Sequence, residues 1–164
     1  MNTVTSLPAQ PRNMAYASTD MRIEIPSLDV KISIVGVPKT SAGWDVTWLD
    51  RQAGWIDGSA YPTWSGNSVI TAHVWDALNR PGPFARLKEL KYGDQVKIHA
   101  FGQVYVYEVR ETTTISPKDT KAMLKHQEKA WLTLITCEDF QELTKDYSSR
   151  RMVRAVLVSV TAEE

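Results

Sequence analysis

The sequence has almost no cysteine. A single thiol, Cys137, among 164 residues excludes an intrachain disulfide and any metal site built from several cysteines. Long hydrophobic runs are missing too. Uninterrupted apolar stretches reach only four residues, as in Ala155–Val158, whereas a membrane-spanning helix needs about 18 or more. No charged stretch followed by an apolar core opens the chain, so no secretory signal is visible. Charge of one sign is not in excess: 19 Lys and Arg balance 19 Asp and Glu. That balance leaves no broad basic field for nucleic acid and no acidic tail. Repeats and low-complexity tracts are absent as well.

What is present reads as one mostly β domain. Residues 1–21 carry Pro8, Pro11 and scattered Ser and Thr without a period, and read as a flexible lead-in; residues 22–164 form the domain. Val30, Ile32 and Ile34 alternate with Lys31 and Ser33 as a strand does. Trp44, Val46 and Trp48, also at spacing two, predict a second short strand. Residues 50–67, rich in Gly, Trp, Ser and Pro, predict a long loop held by aromatic anchors. Asn67–Ala72 reads as a buried strand leading into His73. Phe84, Leu87 and Leu90 predict a helix over about 83–90. Two strands, 95–101 and 103–113, meet near Gly102 as a hairpin. The connection 117–129 has room for a short helix, and 131–137 and 151–161 are the closing strands. Seven or eight strands with one or two short helices and no βαβ alternation predict an all-β barrel or sandwich.

Cys137 ends the run Thr133–Cys137, TLITC. Strand parity puts Leu132, Leu134 and Thr136 on one face, and Thr133, Ile135 and Cys137 on the other. If the leucines face the core, the thiol points toward a groove floored by Thr133 and Ile135. A free cysteine is among the most buried residue types, so burial alone would account for it. A catalytic thiol needs help to ionise, usually from an imidazole. Three histidines compete. His73 sits where a buried strand gives way to a loop; His99 lies on the polar side of its strand; His126 stands among Lys125, Gln127 and Glu128. His99 and His126 read as ordinary surface histidines, and position alone leaves His73 open. Arg150, Arg151 and Arg154 cluster late in the chain. They suit either a charged, soluble strand or a guanidinium aimed at an oxyanion. Arg150 and Arg154 share a face by parity, and Arg151 takes the other. The tryptophans Trp44, Trp48, Trp55, Trp64 and Trp75 read as anchors for core and loops.

TLITC, the upstream ITAH of Ile70–His73, and Arg150 within SRRMVRA together resemble the sortase family, over most of residues 22–161. The resemblance implies a closed eight-stranded β-barrel. It implies a cysteine transpeptidase with Cys137 as nucleophile, His73 as general acid and base, and Arg150, thirteen residues past the cysteine, as the catalytic arginine. Arg151 and Arg154 are displaced from that position. The backbone N–H of Glu138, together with Arg150, would hold the oxyanion. Thr71, Thr133 and Ile135 would bind substrate, and residues 115–129 correspond to the family's specificity loop. No carboxylate is an obvious third partner for His73; Asp76 is near in sequence.

The implied partners are an LPxTG-like sorting signal on a surface protein and an amine acceptor, such as a peptidoglycan precursor. A pilin-polymerising enzyme with a lysine acceptor is the alternative within this chemistry, and an inactive β-barrel binding module the alternative outside it. The resemblance implies an extracytoplasmic location, with membrane attachment through an N-terminal helix that this sequence does not include. Some sortases bind calcium through carboxylates before the histidine strand. The stretch GSAYPTWSGN has none, so no cofactor or metal is expected.

Overall fold

A computed structural model describes residues 16–41, 43–75, 78, 80–116, 119–125, 127–136 and 150–163. Its strands are β1 (Ala17–Ile25), β2 (Val30–Val37), β3 (Lys39–Thr40), β4 (Gly43–Trp44), β5 (Ala53–Ile56), β6 (Gly66–Ala72), β7 (Gln95–Ala100), β8 (Gln103–Ile115), β9 (Ala130–Thr136) and β10 (Arg150–Ala162). Eight of them close a barrel in the order β1-β2-β5-β6-β9-β10-β8-β7, as the sequence led one to expect. The only α-helix among the described residues is one turn, α1 (Thr120–Met123).

Strand parity sorts the apolar residues into two clusters. Ile23, Ile34, Ile70, Ile98, Leu132, Leu134 and Val153 fill the barrel. Each fully buried side chain of this size contributes about 1.5–3 kcal/mol. The alternate residues of the same strands, Val35, Val37, Ile56, Val69 and Ile135, form a second cluster on the outer face with Leu49 and Met123. That outer patch is buried because chain segments lie over it, and it supports the candidate site.

Two strand pairs are parallel, β2 with β5 and β6 with β9. Parallel neighbours require crossover connections. The chain between β2 and β5 contains β3 and β4, which form a small separate sheet. The chain between β8 and β9 carries α1 over the outer face. Asn67, buried on β6, donates from Nδ2 to the carbonyls of Met123 (2.9 Å) and Lys125 (3.0 Å) and ties this crossover to the barrel.

Several expectations need correction. β1 begins at Ala17, so part of the stretch read as lead-in is barrel strand. Trp44–Trp48 is not a strand; β4 ends at Trp44 and a turn follows. That turn is held by Tyr16, whose hydroxyl donates to the Asp45 carbonyl and accepts from the Trp48 N–H. The segment 50–67 is not all loop, because it contains β5 between β2 and β6. The helix expected over 83–90 is a 3-10 turn at Leu87–Glu89 preceded by turns. Phe84, Leu87 and Leu90 are three apart, the 3-10 repeat, and all three point into the core.

Candidate active site

β6 and β9 run parallel, and their last pair is Ala72 with Thr136. The next residue after Ala72 is His73, and the next after Thr136 is Cys137. β10 starts at Arg150 on the far side of β9, antiparallel to it, with Met152 opposite Ile135. The end of β6, the end of β9 and the start of β10, on three adjacent strands, therefore lie at one end of the barrel. Cys137, Glu138, Asp76 and His126 lie outside the described residues.

His73 is buried, with 2% of its surface exposed. Its carbonyl accepts the Phe84 N–H at 3.1 Å. Beside the strand ends lies a cleft of about 110 Å³ on the outer face. It is lined by Thr71 and Ile135, by Trp44, Val46 and Ile56, and by Ile115, Ser116, Asp119, Thr120 and Met123 of the connection between β8 and β9. The Thr71 hydroxyl donates to the Ile135 carbonyl at 2.8 Å and fixes β6 to β9 beneath the cleft. Arg150 lines it as well and pairs with Ile115 of β8.

Thr133 is placed differently from the sequence reading. It is fully buried, and its hydroxyl donates to Asn67 Oδ1 at 2.5 Å, so it braces the crossover instead of lining the cleft. Arg151, on the opposite face from Arg150, bonds Thr112 at the surface. Arg154 is 6% exposed and stacks on the Trp131 ring at 5.4 Å. Thr136 accepts the Arg151 N–H, a structural role consistent with its parity.

His99 bridges two carboxylates, Glu24 on Nε2 (2.8 Å) and Glu163 on Nδ1 (2.9 Å). The His99 hydrogen bond, more than any neighbouring charge, holds the Glu24 carboxyl below its usual range. A larger hollow of about 570 Å³ adjoins this bridge but contains none of the motif residues. The tryptophans anchor loops: Trp44 Nε1 donates to the Asp57 carbonyl and Trp55 Nε1 to that of Ala60. Trp64, in contrast, is largely exposed. No group of three His, Cys, Asp or Glu able to hold a metal occurs among the described residues.

Asn67 and Asp119 were not singled out from sequence. Asn67 is an amide in a strand that is buried throughout, and that mismatch was the available signal. Asp119 lines the cleft and caps α1 by accepting the Ala122 N–H.

A sortase domain model matches residues 23–158. The chain belongs to the sortase family. Sortase D of Bacillus subtilis (strain 168) is 30% identical over 118 residues, 72% of this chain and 54% of that protein. The chain thus spans about half the length of this curated relative. Sortase C-1 from Actinomyces oris superposes with a TM-score of 0.68 at 30% identity, covering 85% of this chain and 71% of the other. Sortase C of Streptococcus pneumoniae, whose structure addresses catalysis and pilin substrate specificity, gives a TM-score of 0.70 at 28% identity, with 91% of this chain and 72% of the other covered. The sortase domain accounts for the barrel and its crossover. No helix among the described residues is long and apolar enough to cross a membrane.

Proposed function

We propose that this sortase-family chain is a cysteine transpeptidase acting on an LPxTG-like sorting signal outside the cytoplasmic membrane. One observation carries the reading. Parallel β6 and β9 end side by side at Ala72 and Thr136, the residues that precede His73 and Cys137, and Arg150 opens the neighbouring strand beside a cleft. Met152 of β10 pairs with Ile135 of β9, so Arg150 opens β10 beside the end of β9.

Cys137 Sγ, as thiolate, attacks the carbonyl carbon of the signal's Thr. The Thr–Gly C–N bond breaks, protonated His73 gives its proton to the departing amine, and a thioester remains. An acceptor amine then attacks the thioester carbon. The C–S bond breaks, the thiolate leaves, and His73 takes the proton from the new amide nitrogen. Arg150 and the Glu138 N–H steady the oxyanion, a kind of contact whose loss costs about 100- to 1000-fold in rate. The cleft lining at Thr71, Ile135 and Met123 suits the apolar end of the signal. No cofactor takes part.

The acceptor is an amine of the cell wall. A pilin lysine is the second reading, supported by the likeness to Streptococcus pneumoniae Sortase C. A panel of fluorogenic sorting peptides, run with a peptidoglycan-type amine, with a pilin-derived lysine peptide, and with neither, tests both. Cleavage accelerated by one acceptor and lost in Cys137→Ala is expected. Absence of cleavage with every peptide points instead to a binding module.

A further inference from the structure

The turn after His73 closes on a glycine. Gly82 N–H donates to the Val74 carbonyl at 2.6 Å, Phe84 N–H donates to the His73 carbonyl, and Trp75 and Pro81 pair as a bridge. These contacts lay residues 81–84 against 73–75. A Cβ at position 82 would stand 2.3 Å from the His73 carbonyl oxygen, 2.8 Å from its carbonyl carbon and 3.0 Å from that of Val74. All three atoms are backbone, so no side-chain rotation relieves the overlap. Retreat on the other side is blocked, because Phe84, two residues on, and Leu87 are fully buried in the barrel.

We infer that Gly82 is a positioning residue for His73: its missing side chain lets the turn clamp the peptide unit that carries the imidazole. This rests on the reading of His73 as the acid–base group. Restoring ordinary contact to a Cβ at 82 moves the His73 carbonyl and residue 82 apart by about 1 Å, and a misplacement of that size costs about 100-fold in turnover. The cleft is lined by other residues, so peptide KM is retained.

The test compares Gly82→Ala, His73→Ala and Leu87→Ala in the full chain by peptide cleavage and Tm. Gly82→Ala is expected to lose about 100-fold in kcat with KM within about 2-fold of wild type. Leu87→Ala, which removes core packing one turn on, is expected to lower Tm while keeping kcat. A Gly82→Ala protein with wild-type kcat, or one no slower than Leu87→Ala, overturns the inference alone when His73→Ala is inactive. A His73→Ala protein that still turns over overturns the acid–base reading and the inference with it. Should Gly82→Ala fail to fold, Arg51→Met gives the answer. It removes the Arg51 Nη1 bond to the Pro81 carbonyl (3.2 Å) and leaves the core intact. A kcat lowered about 3-fold or more at unchanged KM is expected, and a wild-type kcat overturns the inference.

Discussion

Replacing Asn67 tests whether the crossover that lines the cleft is held by one buried amide. Asn67→Ala removes three hydrogen bonds: two from Nδ2 to the Met123 and Lys125 carbonyls and one accepted from Thr133. At a net of about 1 kcal/mol each, the loss is about 3 kcal/mol, with more if the orphaned Thr133 hydroxyl finds no water. For a chain of this size that lowers Tm by about 6–12 °C. Because Met123 lines the cleft, the loosened crossover raises KM for a sorting peptide. His73 and Arg150 are held by the barrel strands and not by the crossover, so kcat is retained. Asn67→Asp sharpens the test. It still accepts from Thr133 but sets a carboxylate against two carbonyls, which raises its pKa. Its destabilisation exceeds that of Asn67→Ala at neutral pH and is relieved as pH falls through the raised pKa. Urea titration at neutral and acid pH, with peptide kinetics, reads all of this. A loss below about 0.5 kcal/mol with unchanged KM would refute the argument.

Other expectations are simpler. Glu24, whose pKa is lowered by its bond to His99, contributes stability that is present above about pH 4.5 and lost as pH falls through the lower folded value. The Tm gap between wild type and Glu24→Gln therefore closes in acid; a gap that widens there contradicts the assignment. Phe101 holds φ 55 at the β7–β8 turn beside Gly102 at φ 70, and 65% of it is exposed. Phe101→Asn relieves the left-handed strain and stabilises by about 0.5–1 kcal/mol; an unchanged or lower Tm counts against this. Dialysis against EDTA leaves peptide cleavage unchanged, and a strong loss restored by calcium would show a metal role.

The barrel was legible where one face of a strand is wet or plainly polar. Val30, Ile32 and Ile34, the 95–113 hairpin and the Leu132/Leu134 face carried the period of two. β5 was hidden because Ala53, Gly54 and Ile56 are all buried, on both faces of the sheet, so no alternation marks the segment. Trp44, Val46 and Trp48 mimicked a strand because apolar anchors in a tight turn fell at spacing two. The candidate site was legible as motifs, since ITAH, TLITC and Arg150 sit at strand ends that the topology brings together. What covers the strands was not. Whether Thr133 faces a cleft or braces a crossover depends on Asn67, which is 66 residues away in the chain. Arg154 likewise reads as a surface cation, yet its guanidinium is buried against Trp131.

Intact-protein mass spectrometry during turnover of a sorting peptide bears most directly on the proposed chemistry. The account predicts a transient mass gain equal to the acyl portion ending in Thr, mapped to Cys137, discharged by an added amine and absent from Cys137→Ala and His73→Ala. Peptide cleavage that persists in Cys137→Ala, or an adduct on any other residue, would contradict it.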